Sequence, residues 1–314
     1  MKQVVFTDPP VALSPGMVQQ VLQLPGFKIR CYQEFAADTE ELYERGKDAE
    51  IIITDLTQYK DVLRRWPKLE VIITTSVGTD HIDTVYCGER GIRVINFPGY
   101  NARAVAEMAI ALLIALLRRV PMSQGYVKGG GWSFEYFEGR ELDGKIFGLL
   151  GAGNVGRELV VIAKGLGMHP LVYTKHPSPE RAAGLGVAEF VSLDAILAQA
   201  DFLAIALPAN AETEHLIGAK ELLRMKPTAI LVDTGRGKVV NTLALAQALY
   251  EQRLAGAALD VIENEPFNLR NADLRVQEMV NSNNVILTPH IAFNTRESTN
   301  RIGQRLIEEL KALV

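Results

Sequence analysis

Two groups of residues in this 314-residue chain have types and spacings that suit chemistry. The first is Gly151-Ala152-Gly153-Asn154-Val155-Gly156, which follows the apolar run IFGLL and opens the helical stretch RELVVIAKGLG. Between a strand and a helix, the first glycine permits a tight turn and the second lets backbone approach a pyrophosphate. The third lets helix and strand pack closely, and the helix N-terminus faces the phosphates. A lone GxGxxG run is often only a turn; its strand–helix context points to a dinucleotide, with Asn154 and Val155 joining the three glycines as cofactor-binding candidates. The second group is Arg236, Asp260, Glu265 and His290, in AILVDTGRG, AALDVIENEP and NVILTPHIAFNT. Each segment stands at the C-terminal end of an expected strand, where ligands collect in open α/β sheets.

Hydride transfer to a 2-keto acid needs a cation for the carboxylate and carbonyl oxygens, and a proton donor for the developing alkoxide. Arginine suits the first role because its planar fork grips two oxygens and stays charged. Histidine suits the second. A carboxylate such as Glu265 beside His290 would hold one ring tautomer and favour imidazolium, so that the ring gives a proton in reduction and takes it back in reverse. Singly, each residue has a plainer reading: a lone histidine is more often structural and a Glu-Pro pair more often a turn. Their joint occurrence on strand ends favours a site.

An adenosine ribose with a free 2′-hydroxyl ordinarily meets an Asp or Glu about 20 residues beyond the glycines. Here the strand end reads Val172-Tyr173-Thr174-Lys175-His176, and no carboxylate occurs before Glu180. Thr174 removes both the acceptor for the hydroxyl and the repulsion toward a 2′-phosphate, which Lys175 and His176 could neutralise with support from Arg181. Ordinary solvated loop charges are the plainer alternative. The expected cofactor is therefore NADP, with NAD as the alternative. Leu207, Pro208 and Thr234 complete the cofactor-binding candidates.

Short β-branched runs separated by helical stretches must position these groups. They fall at 4–6, 51–54, 71–75 and 94–96, and the pattern restarts at 145–150, 170–174, 202–207, 229–234, 256–261 and 284–289. Such alternation is the mark of parallel βαβ sheets, here in two α/β units. The junction is AVAEMAIALLIALLRR within 101–119, apolar nearly all round and so buried on several sides. Pro121 and GGGW at 129–132 then break it. The segment up to Gly144 reads as a plain linker on sequence alone, with an arm lying on a partner subunit as the alternative.

Composition narrows the function classes. Hydrophobic residues make up 48% of the chain, enough for a large core or two, and a net charge of −4 leaves no basic face for nucleic acid. Cys31 and Cys87 are too few for a disulfide framework and lack metal-ligand spacing, which suits a reducing cytosol; no metal is expected. The N-terminus MKQVVFTDPP lacks the pattern of a signal peptide, giving a cytoplasmic expectation. The longest apolar run, ten residues from Met108 to Leu117, is about half a bilayer span, so no membrane association is expected.

Through GAGNVG, DTGRGKVV, LDVIENEP and LTPHIAF in order and spacing, the chain resembles the D-isomer-specific 2-hydroxyacid dehydrogenase family over nearly its whole length. The resemblance implies that Arg236 binds substrate, His290 is the acid/base, Glu265 pairs with it and Asp260 contacts the nicotinamide carboxamide. It also implies that SVG at 76–78 offers N–H groups to the substrate carboxylate, chiefly at Val77 and Gly78. The implied fold is a Rossmann-type doubly wound parallel sheet, residues 99–287, inserted in a flavodoxin-like substrate domain of residues 1–98 and 288–314. The helix at 101–119 would form much of a homodimer interface, which raises the arm reading of 120–144. Three departures stand out: the missing acid at Thr174, Asn154 where relatives often have Arg, and Glu265 where formate dehydrogenases of the family carry Gln, which disfavours that activity.

Val77, Tyr100 and Phe293 are the pocket candidates, forming an apolar wall, although Tyr100 and Phe293 could instead be core aromatics. A phosphorylated substrate would call for several basic residues, and 76–83 with 96–104 contain only Arg103. The resemblance of PHIAF is to branches acting on D-lactate and longer 2-keto acids, that of GYN to reductases of glyoxylate and hydroxypyruvate, and both remain open. A 2-ketoacid reductase is the leading expectation. A phosphoglycerate dehydrogenase-type enzyme shares the chemistry but not the pocket charge. A dinucleotide-sensing corepressor-like protein would carry extra tails, whereas this chain ends soon after its last helix.

Overall fold

A computed structural model describes every residue except Leu56, Gln58, Lys60, Asp61, Pro266, Phe267 and Val314. Pro266, which closes the LDVIENEP motif, and Val314, the end of the expected 288–314 segment, thus lie outside the described residues. The chain divides into two compact units, Met1–Asn101 with Asn294–Val314, and Ala102–Phe293.

The first unit holds five parallel strands: β1 (Lys2–Phe6), β2 (Phe27–Cys31), β3 (Ile51–Thr54), β4 (Val71–Thr74) and β5 (Arg93–Ile95). Their order, β2-β1-β3-β4-β5, is that of flavodoxin-like sheets. Side chains alternate across a strand, so IIIT and VIIT, buried at every position, feed two cores. Val4, Ile51, Ile53 and Ile73 pack with Ile302 and Leu306 of the helix Arg296–Ala312, while Val5, Ile52 and Ile72 pack around Trp66 and Tyr59. β2 has no counterpart among the expected strands. Lys28 and Arg30 are exposed and interrupt its apolar pattern, as suits an edge strand that pairs with β1 alone.

The second unit holds β6 (Ile146–Leu150), β7 (His169–Tyr173), β8 (Phe202–Ile205), β9 (Ile230–Asp233), β10 (Gly256–Leu259) and β11 (Val285–Leu287). All pair in parallel in the order β11-β10-β9-β8-β6-β7, and an isolated bridge between Val172 and Phe190 lies beyond β7. Counting that bridge as a vestigial strand recovers the doubly wound Rossmann order, with the switch point beside β6. Leu203, Leu231 and Leu259 supply one core and Phe147, Phe202 and Val232 the other.

The apolar helix runs Ala102–Leu117 and buries Ala106, Ala109, Leu112 and Leu113 in the second core. It ends short of the expected 119 because Arg119 adopts a left-handed conformation, φ 53°. Pro121 does not begin a linker. It lies in the first turn of a second helix, Val120–Lys128, where a missing N–H costs nothing. Tyr126 of that helix meets Tyr136 and Phe137 in tilted and edge-on ring contacts, while Trp132 and Phe134 stand 87% and 88% exposed. The plain-linker expectation for 120–144 therefore gives way to a structured segment with outward aromatics. Among the described residues no helix is long and apolar enough to cross a membrane, and no His/Cys/Asp/Glu cluster of metal-binding size occurs.

Candidate active site

The glycine loop leaves the C-terminal end of β6, at the switch point. Gly151 has φ +114°, and a Cβ there would lie 2.4 Å from the carbonyl oxygen of Ala206, so a side chain is barred by both conformation and space. Gly156, in the first turn of the helix Asn154–Gly165, has the Gly151 oxygen 2.3 Å from its Cβ position, which seats the helix on the strand end. At Gly153 nothing lies within 4 Å of the Cβ position, leaving open space beside the helix N-terminus. Two positions closed by packing and one open to solvent fit a dinucleotide pyrophosphate lying on the loop. Asn154 and Val155 open that helix.

Thr174, Lys175 and His176 directly follow β7, with Lys175 and His176 exposed. Lys175 forms an ion pair with Glu212, both more than half exposed, and the hydrogen bond from Lys175, then its charge, lowers the Glu212 pKa. Arg181 turns its guanidinium onto the carbonyl oxygen of His176. Glu212 was not anticipated, because it comes from the loop after β8 and nothing local in its sequence marks it. Leu207 is half-buried against the core, the Pro208 carbonyl accepts the Thr213 hydroxyl at 2.6 Å, and Thr234 is buried just beyond β9.

His290 Nδ1 lies 2.6 Å from Glu265 Oε2, with the two side chains 37% and 30% exposed. The other Glu265 oxygen accepts the Ile262 N–H at 2.8 Å, so the carboxylate is held at both ends. His290 has φ 53°, left-handed and uncommon for a residue with a Cβ; such backbone persists where its surroundings enforce it. The enforcement comes from Asp260. Its carbonyl oxygen accepts the His290 N–H at 2.9 Å, and its buried carboxylate accepts the Thr288 hydroxyl and the N–H groups of Ile291 and Ala292. This bonding ties 288–292 to the end of β10, and the second unit accordingly extends to Phe293 rather than 287. The Phe293 ring meets that of His290 edge-on, centroids 6.2 Å apart.

Arg236 follows β9 in extended conformation, and its guanidinium donates to the Gly235 carbonyl at 2.9 Å. Asp233, at the end of β9, is 1% exposed. Burial pushes its carboxyl well above the usual carboxylate range, the negative charge of Glu265 pushes it the same way, and the Gly235 N–H and Arg236 oppose them. Asp233, Arg236 and Glu265 thus share one electrostatic neighbourhood. Sequence reasoning passed over Asp233 because it reads as the last residue of a buried strand.

In the first unit, Asn96 Nδ2 donates to the Val77 carbonyl at 2.6 Å, and Ser76 Oγ donates to the Gly78 carbonyl at 2.6 Å. The first bond fixes the peptide plane whose opposite end is the Gly78 N–H. Val77 is half-buried against the core, whereas Tyr100 is 4% exposed and packs inside it, with its carbonyl accepting from Arg301 at 2.7 Å. The core description is the one that fits Tyr100.

A Rossmann sheet with this glycine loop, and a histidine–carboxylate pair beyond other strand ends of the same sheet, fit a nicotinamide-dependent oxidoreductase. The model for the NAD binding domain of D-isomer specific 2-hydroxyacid dehydrogenases matches residues 110–292. The glyoxylate reductase of Thermococcus litoralis is 38% identical over 280 residues, 86% of this chain and 82% of that one. The D-lactate dehydrogenase of Aquifex aeolicus, solved with NAD and lactic acid, superposes with a TM-score of 0.88 at 29% identity, covering 99% of this chain and 95% of that one. An NADPH-dependent glyoxylate/hydroxypyruvate reductase from Sinorhizobium meliloti, solved with NADP and malonate, gives 0.85 at 26% identity, covering 99% and 93%. The chain belongs to the D-isomer-specific 2-hydroxyacid dehydrogenase family. It is an NAD(P)-dependent enzyme acting on the CH–OH group of D-2-hydroxy acids.

Proposed function

We propose that the enzyme works chiefly as an NADPH-dependent reductase of small, unphosphorylated 2-keto acids, with glyoxylate the first substrate to test. The reading is carried by the His290–Glu265 pair. With Nδ1 held by Glu265 at 2.6 Å, Nε2 is the nitrogen left for a substrate. In reduction Nε2 gives its proton to the carbonyl oxygen as that oxygen gains charge, and in oxidation it takes the hydroxyl proton. Arg236 holds the carboxylate and carbonyl oxygens and keeps its charge throughout. Val77 and Gly78 stay candidates for carboxylate binding through their N–H groups, and in the second unit Phe293 limits what can stand beside the imidazole. A bound nicotinamide supplies the hydride to C2 of the keto acid.

The glycine loop holds the pyrophosphate, with Leu207, Pro208 and Thr234 along the dinucleotide. Asp260 orients the carboxamide with the acceptor capacity left after its bonds to 288–292, since a carboxylate offers about four lone-pair sites. Thr174, Lys175 and His176 favour a 2′-phosphate. Glu212 already pairs with Lys175, and this supports NAD as the second reading. Arg103, the basic residue near the substrate segments, is bound to Glu107 at 2.6 Å and Glu158 at 3.3 Å, which supports an unphosphorylated substrate. The aromatic segment after Val120–Lys128, with Trp132 and Phe134 outward, supports an arm that reaches a second copy in a homodimer, and a cytoplasmic setting suits the reduced cysteines.

Initial rates with glyoxylate, hydroxypyruvate, pyruvate and longer 2-keto acids, each with NADPH and NADH, test this. The expected result is turnover of a short keto acid with NADPH preferred. Turnover confined to phosphorylated acids, or none on any acid, overturns it.

A further inference from the structure

Glu265 sits on a turn, and the residue two places before it has no part in the chemistry above. Glu263 Oε2 accepts the N–H of Thr242 at 2.6 Å, the first residue of the helix Thr242–Tyr250, and Oε1 lies 2.6 Å from His215 Nε2. Its own N–H donates to Thr242 Oγ1 at 3.4 Å. His215 is itself held, its backbone N–H donating to the Lys238 carbonyl at 2.8 Å. Next comes Asn264 with φ 63°, which reverses the chain so that Glu265 can accept the Ile262 N–H and still face His290. Gly237 lies hard against the same turn: a Cβ there would be 2.1 Å from the Ile262 carbonyl carbon. Arg236 precedes that glycine, so one turn sets both sides of the constellation.

We propose that Glu263 is a positioning residue for the acid/base pair, anchored by His215 and the Thr242 N–H so that Glu265 stays directed at His290. This rests on the acid/base reading given above. Burial raises the Glu263 carboxyl, but the bonds from His215 and Thr242 outweigh it and lower it overall, so the anchor is anionic wherever the enzyme works near neutrality. The charged groups around the turn are His215, Glu265, His290, Asp233 and Arg236. An unanchored turn lets Glu265 swing from the imidazole. The ring then loses the partner that fixes its orientation and tautomer, and proton transfer from Nε2 slows.

The test is the split of kcat against KM for keto-acid reduction in E263A, E263Q, T242P and E265Q, alongside melting temperature and dinucleotide binding. E263A is expected to lose about 10-fold to 100-fold at neutral pH, as misplacement near reacting groups does. The loss should fall on kcat, as in E265Q, with KM and dinucleotide affinity kept. E263Q should restore most of kcat, because its amide oxygen still accepts the Thr242 N–H. T242P deletes the same N–H at a helix position that tolerates proline, so it stands in if E263A does not fold. A wild-type kcat in E263A or T242P, with that of E265Q reduced, overturns the proposal. An undiminished kcat in E265Q overturns the acid/base reading itself and the proposal with it.

Discussion

The N–H of Ala292 donates to Oδ2 of Asp260 at 2.7 Å across 32 residues of sequence, and this bond closes the loop that carries His290. With the Thr288 hydroxyl and the Ile291 N–H on Oδ1, the carboxylate receives three donors and offers none. An amide in its place would turn an NH2 toward a donor. D260N should therefore cost about 1–3 kcal/mol, the penalty of a buried group left unsatisfied. A lower urea midpoint together with reduced kcat is the expected outcome, and an unchanged midpoint would show that the loop is held by other contacts.

His290 should be dispensable for binding and not for turnover. H290Q keeps side-chain hydrogen bonding but cannot exchange a proton near neutral pH. The expected loss in kcat is about 10²- to 10⁴-fold, the range for a general acid/base. Fluorescence titration with NADPH should give an affinity close to that of the wild type. Retained turnover would remove the proton-transfer role.

Asp233 should make stability depend on pH. Its folded-state pKa is raised, chiefly by burial and then by the charge of Glu265, so the unfolded chain ionises first as pH increases. Its favourable contribution is whole below the unfolded value of about 3.9 and is lost as pH climbs through the folded value. D233N, nearly isosteric and unable to ionise, should match the wild type near pH 4 and exceed it progressively toward pH 8. Urea melts across that range decide the matter; a gap between the two proteins that does not vary with pH would contradict it.

Thr174 offers a direct test of cofactor choice. T174D supplies a carboxylate for the ribose hydroxyls and repels a 2′-phosphate, so the NADPH-to-NADH ratio of kcat/KM should fall about tenfold or more, equivalent to about 1.4 kcal/mol. An unchanged ratio would place discrimination elsewhere, with Lys175 and its partner Glu212 the next residues to vary.

Much of the architecture was legible in the sequence because its causes are local. Strands covered on both faces are apolar at nearly every position, so IFGLL, FLAI and ILVD announce themselves. The glycine loop does so too, since a positive φ at Gly151 and the close approach at Gly156 admit no other residue. β2 escaped notice because an edge strand with Lys28 and Arg30 exposed looks like a polar loop until β1 is placed beside it.

Residue types and their order along the chain determined which groups could do chemistry: the glycines that accept a pyrophosphate, and Arg236, Glu265 and His290 at successive strand ends. Tertiary structure alone decided how they are held. The left-handed backbone of His290, the service of Asp260 as an anchor and the clamp of Glu263 by His215 depend on hydrogen bonds that span tens of residues. Such bonds form only when parallel strands bring their ends together, and no local pattern of side chains encodes them.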